Sequence, residues 1–287
     1  MKKTWIIPAA LLAGTVSVSA AALLSRKAEA TEKPAASTAP AGHMVSTSAA
    51  TEELATLRMK FVIDGDAPKP EAIDTARDPF CAQNKIFTDS MLVKDGAIKN
   101  VIVYWDARKN KKVDVPKIAL EVPKDKPVLD NIKCMFEPKI LTVQTGQTIV
   151  IKNSDETGHN ANFNFFANNP FNAIIPIGGE KELKLEQPEP APIPIDCNVH
   201  PWMKAYIVVS ENSYMGVSND EGVIEIKNLP VGEEFVLKVY HELSGGIDEA
   251  VVDGKKEKWR SGRMEIELKA GMNDMGVIKV PASQFED

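Results

Sequence analysis

The chain has 287 residues, 26% of them charged, with 34 Lys and Arg against 40 Asp and Glu and a net charge of −6. That length accommodates one or two domains with a sizeable core. The acidic balance excludes nucleic acid as a partner, because neutralising a phosphate backbone needs a basic face.

The chain opens with Met1-Lys2-Lys3, an uncharged run from Trp5 to Leu24, and Ala28-Glu29-Ala30. This is the pattern of a signal peptide over residues 1–30, with export to the periplasm or cell envelope as its consequence. The apolar run is also long enough to span a bilayer, so an uncleaved signal anchor is the alternative, and the membrane enters only in that case. Residues 1–30 carry four basic and one acidic residue, so their removal takes the charge from −6 to −9. Residues 31–56 are Ala, Ser, Thr and Pro in the main, too poor in large apolar side chains to bury anything, and read as a disordered linker. His43 lies there without a predicted role.

From residue 57 onward, short Val/Ile-rich runs alternate with Gly, Pro, Asn and Asp, which predicts an all-β chain without long amphipathic helices. Met59–Ile63, Val101–Trp105, Ile149–Ile151 and Tyr206–Val209 are the clearest strands. Pro188, Pro190, Pro192 and Pro194 alternate, so one edge of that segment has no donors, and an edge strand or polyproline stretch is expected. Asn160 to Asn172 interleaves six Asn with four Phe, expected as a loop covering the end of a β-sandwich.

Cys197-Asn198-Val199-His200-Pro201-Trp202-Met203 places a thiol, an imidazole and a thioether within one heptapeptide. A trigonal His₂Cys plane with a weak axial Met distinguishes blue copper from zinc, and His159 supplies the second imidazole. His159, Cys197, His200 and Met203 are therefore the expected ligands of one type 1 copper, with zinc as the alternative, since Cys and His also serve it. There are three cysteines. An exported protein with an odd count leaves one thiol to be explained. With Cys197 on a metal, Cys81 and Cys134 are left to form a disulfide or to stay as two buried thiols.

Residues 134–210 resemble the cupredoxins in the run Phe136-Glu137-Pro138 to Asn153, in His159-Asn160, and in the ligand order Cys197, His200, Met203. The resemblance implies a Greek-key β-sandwich, and it assigns Asn160 a supporting role, with its backbone N–H aimed at the ligand sulfur and its side chain bracing the ligand loop. It also implies one-electron transfer without catalysis, with exit through the ring edge of His200. Pro201 and Trp202 would then form the docking surface for a redox protein such as a basic c-type cytochrome. The loop departs from plastocyanin-like members in leaving only Pro201 and Trp202 between His200 and Met203. Residues 214–242 resemble the small transthyretin-like, carboxypeptidase regulatory-like β-sandwich, which is non-catalytic. The combination, with Asp78-Pro79-Phe80-Cys81 upstream, resembles exported bacterial proteins labelled methylamine-utilisation-like; the label is no evidence for amine oxidation. The expected division is a copper domain with an N-terminal β extension over residues 57–211 and a β module over 212–287. A copper-carrying or delivery protein and a non-redox envelope scaffold are the other classes considered. His241 is expected to be structural.

Overall fold

The computed structural model describes residues 53–286, so the expected leader, His43 and most of the expected linker lie outside the described residues. These residues form strands in four sheets, and their longest α-helix, Lys117–Leu120, has four residues. The all-β reading is borne out. No helix among the described residues is long and apolar enough to cross a membrane.

Two of the sheets face each other in one sandwich. The first runs Phe171–Ile175, His159–Phe163, Ile193–Asp196, Lys204–Ser210, Ile140–Gln144, and the second Glu180–Lys184, Thr148–Asn153, Val128–Ile132, Met135–Glu137. Between them lie Leu129, Phe136, Ile149, Ile151, Phe163, Ile193, Ile195 and Ile207, all buried. The alternation of buried and exposed residues along Thr148–Asn153 follows directly from the period-two geometry of a strand.

The N-terminal strands do not extend this sandwich, contrary to the expected division. Ala55–Asp64 runs parallel to Gly271–Pro281 and antiparallel to Val223–Leu229, while Ile102–Trp105 pairs with Met215–Val217 and Glu234–His241. Together these segments make a second, outer sandwich around Leu57, Met59, Phe61, Trp105, Tyr214 and Phe235. The physical reason is that an alternating strand specifies a buried face but not a neighbour. Leu57, Met59 and Phe61, each contributing roughly 1.5–3 kcal/mol on burial, continue one buried face with their cross-strand partners Ile226, Ile224 and Ile278, and that face packs with Trp105, Phe235 and Leu237 in one core. The Asn219–Gly222 turn is equally local. Gly222 has φ +74° and lies against the Phe61 carbonyl, where a Cβ would clash. Ile102, Tyr104, Ile140, Tyr206 and Val208 form a smaller cluster that joins the outer faces of the two sandwiches.

The proline run corrects a second expectation. Ile193–Asp196 is a central strand, paired with Lys204–Ser210 on one side and His159–Phe163 on the other. Pairing on the second side, however, begins only at Ile195, immediately after the last proline. The missing donors thus limit where the strand becomes two-sided, not whether it does. The Asn/Phe segment is a hairpin instead of a loop, with Phe163 buried against Phe165 and Phe171.

His241 is 1% exposed and packs edge-on to Phe285. Burial, with Lys139 adding to it, lowers its pKa from 6.5 to about 4. The unfolded chain therefore takes up this proton first, and the contribution of His241 to stability, intact above pH 6.5, is lost as pH falls toward 4. The loss should amount to about 3 kcal/mol. Urea unfolding at pH 7 and pH 4 should show a smaller acid-side loss in His241→Phe than in the native protein.

Candidate metal centre

His159 opens the strand His159–Phe163, and Cys197 and Met203 flank the turn between Ile193–Asp196 and Lys204–Ser210. Two backbone bonds close that turn, from the Cys197 amide to the Met203 carbonyl (3.2 Å) and from the Met203 amide to the His200 carbonyl (2.9 Å). Adjacent strands in one sheet thereby bring together donors that are far apart in sequence. His159, Cys197 and His200 offer ligand atoms all within 4.8 Å of one another. They are 0%, 2% and 2% exposed, and Met203, 1% exposed, belongs to the same core cluster as Cys197.

The two imidazoles face each other through Nδ1, 3.0 Å apart, with the Cys197 Sγ 3.9 Å from the His200 Nδ1. Nitrogens bound at about 2.0 Å to a common ion at near-trigonal or tetrahedral angles lie roughly 3–3.5 Å apart, so the spacing fits a shared metal. Each Nε2 meets a carboxylate: that of His159 lies 2.8 Å from Asp155 Oδ2, and that of His200 lies 3.0 Å from Asp78 Oδ2. A carboxylate only accepts, so it holds the proton on Nε2 and leaves Nδ1 bare. With both rings neutral in that tautomer, the two Nδ1 lone pairs face each other as two ligands of one cation would. Burial holds the His159 imidazole below its ordinary pKa against the pull of Asp155, which keeps the ring neutral as a ligand must be.

Asn160 makes both contacts that the resemblance implies. Its amide N–H points at Cys197 Sγ (3.4 Å), and its Oδ1 accepts from the Asn198 amide (2.9 Å). Its Nδ2 donates to Asn172 Oδ1 on the neighbouring strand (2.6 Å).

Cys81 and Cys134 form a disulfide with Cα atoms 5.7 Å apart, and Cys197 is free. Cys134 lies in the two-residue turn between Val128–Ile132 and Met135–Glu137, where Lys133 and Cys134 both have positive φ. Such turns favour Asn-Gly. Here Asp155 holds the turn by accepting both amides, at 2.6 and 2.7 Å.

Asp78 and Asp155 are the residues that sequence reasoning did not select. Asp78 sits at the tip of residues 65–92, an excursion of the outer sandwich that leaves its sheet after Asp64 and returns at Val93. Its Oδ1 accepts from the amides of Phe80 (2.8 Å) and Cys81 (3.0 Å), and its Oδ2 from the Thr157 hydroxyl (2.8 Å) and His200. Burial by itself would raise its pKa; the bonds from Cys81, Thr157, His200 and Phe80 outweigh it and bring the carboxyl down to about 2. The tip covers the His200 ring edge, which the resemblance expects at the surface; this is a correction to the expected exit. Trp202 is half-buried, packed 5.1 Å from the His200 ring, with its indole N–H donating to the Cys134 carbonyl (3.1 Å). Pro201, exposed, and Trp202 border a groove that also takes in Asp89, Lys139, Lys204 and Glu242.

No protein-family model matches the chain, and no curated protein matches it. Among solved structures, the Cu(I) form of an amicyanin mutant is 23% identical over 32% of this chain and 89% of its own, with a TM-score of 0.28. A purple cupredoxin from Nitrosopumilus maritimus is 22% identical over 30% of this chain and 100% of its own, with a TM-score of 0.26. The Cu-containing nitrite reductase from Thermus scotoductus SA-01 is 21% identical over 31% of this chain, with a TM-score of 0.28, and this chain spans only 23% of it. Scores this low carry no argument for function, so the geometry of the centre has to.

Proposed function

We propose that His159, Cys197 and His200 hold a single copper ion, with Met203 as the axial donor, in an exported protein that passes single electrons between redox partners. The observation that carries this is the pair of imidazole Nδ1 atoms facing each other 3.0 Å apart beside a buried free thiol. Copper held by this donor set supplies one-electron chemistry, because a fixed trigonal site suits both Cu(I) and Cu(II). The chain's own part is to keep the geometry unchanged. Asp78 and Asp155 fix both rings, the Asn160 N–H tempers the charge on sulfur, and burial excludes water. A centre closed this tightly argues against delivery of the ion to another protein. Loading with Cu(II) should give an intense thiolate-to-copper absorption; a colourless protein holding one zinc would overturn the reading.

Met203→Leu should retain the metal and the thiolate band while the reduction potential rises, because a weak donor that stabilises Cu(II) is gone. An unchanged potential would remove Met203 from the ligand set.

Exchange with the partner is assigned to the Pro201–Trp202 surface, since Trp202 is the ring that continues from His200 toward solvent. The charge of −9 expected after removal of residues 1–30 favours a basic partner, such as a c-type cytochrome, with an on-rate that falls as salt rises. Replacing Trp202 with Lys should slow exchange by about an order of magnitude and leave the copper spectrum close to native. Stopped-flow mixing with the reduced partner at two ionic strengths checks both statements.

A further inference from the structure

The centre is completed by a segment that does not belong to its own sandwich. Long loops without regular structure are uncommon in compact domains and tend to be functional. Residues 65–92 begin and end in the seven-stranded sheet of the outer sandwich. The loop doubles back on itself through Ile73–Ile86 and Glu71–Thr88 backbone bonds and ends in the short 3-10 turn Cys81–Gln83. Two ties fasten its tip to the metal-binding sandwich: the Cys81–Cys134 disulfide and the Thr157 hydroxyl on Asp78. The Asp78 carboxylate has both oxygens occupied, and one of its bonds is to the Nε2 of His200. The disulfide sulfur of Cys81 lies 3.7 Å from that same nitrogen, and the His200 side chain is 3% exposed.

We propose that Asp78 is a positioning residue for the metal centre: the disulfide-tied loop puts a fixed carboxylate where a loop histidine would otherwise meet solvent, holding the His200 ring on the metal and lowering the reduction potential. This rests on the copper reading above. A carboxylate on the far nitrogen makes an imidazole a stronger donor, and the extra donation favours Cu(II) over Cu(I). It also resists rotation of the ring out of the centre, because turning breaks a bond whose acceptor cannot follow. Asp155 does the same for His159 from within the sandwich, so both rings are braced, one by each module of the protein.

The test uses the full-length exported protein and the variants Asp78→Asn and Thr157→Val. Asp78→Asn keeps the size of the side chain and removes its charge; Thr157→Val removes one bond to the same oxygen and leaves the loop sequence intact. Spectroelectrochemical titration of the copper-loaded protein should show the Cu(I)-to-Cu(II) affinity ratio rising about tenfold in Asp78→Asn, an upward shift of ~59 mV. Cu(II) affinity should fall by roughly 10–100-fold, as is typical for loss of a partner behind a ligand. Thr157→Val should move both quantities in the same direction by less. In the metal-free native protein, the Nε2–H of His200 should appear in ¹H–¹⁵N spectra as a proton protected from water. Native potential and affinity in both variants would overturn the proposal, as would a His200 Nε2–H that exchanges freely in the native protein. A native protein without a thiolate band would instead defeat the copper reading, and the metal-free spectrum would still decide whether Asp78 holds the ring.

Discussion

Cys197→Ser is expected to abolish the visible absorption of the copper-loaded protein completely and to weaken copper binding by two orders of magnitude or more. The hydroxyl is nearly the size of the thiol, so the buried turn closed by the Cys197 and Met203 backbone bonds should survive. What is lost is the soft, polarisable donor that suits Cu(I) and gives the charge-transfer band. The other two cysteines are already joined to each other, so no second thiolate is at hand to substitute. Titration with Cu(II) followed in the visible range, with a competing chelator for affinity, checks both parts. A band that persists would mean that Cys197 is not the ligand.

The second large effect concerns stability. The Cys81–Cys134 bridge closes a sequence separation of 53 residues. Constraining a loop of that length in the unfolded chain contributes about 4 kcal/mol by the chain-entropy relation. The double variant Cys81→Ala/Cys134→Ala should lose about that much in guanidinium unfolding, and the fold of the two sandwiches should remain. A loss below about 1 kcal/mol would show that Thr157 and the remaining contacts hold the loop tip without covalent help. Copper-loaded, this variant should also drift toward the potential of Asp78→Asn, because the tip carrying Asp78 is no longer tied.

Much of the centre was legible because its geometry is local to the strand ends. Cys197, His200 and Met203 share one turn, and His159 begins the strand that pairs beside it, so chemistry and spacing together sufficed to select them. Counting left Cys81 and Cys134 as either a disulfide or two buried thiols, and only their proximity in the fold decides for the bond. Asp78 left no comparable trace. It stands 122 residues from His200, on a segment without periodicity, and nothing in the order of residues says that a loop of one sandwich will end on a ligand of the other. Asp155 lay in view, four residues before His159, inside a polar run that reads equally well as a plain turn. The same limit applies to Ala55–Asp64. Its alternation marks a buried face, but its partner strand Gly271–Pro281 is at the opposite end of the chain, beyond the reach of any local pattern. The proline run misled in a more instructive way, since missing donors constrain only the positions where they fall.

The outer sandwich is interrupted between Trp105 and Tyr214, whose backbones are bonded (3.0 Å) and whose rings lie 5.2 Å apart. Everything needed for the inner sandwich, from Val128 to Ser210, is therefore synthesised before the strand that Ala55–Asp64 requires as its parallel neighbour. Such non-local pairing is slow to form. As the chain emerges, the inner sandwich can collapse first and present Cys134 and the three metal donors while Ala55–Asp64 is still without Gly271–Pro281. The loop bearing Cys81 and Asp78 can then be captured from an unfinished domain, and the Cys81–Cys134 bond makes that capture covalent before the outer sandwich is complete. Assembly of the centre thus begins in the middle of the chain and does not wait for Gly271–Pro281 to close the outer sandwich.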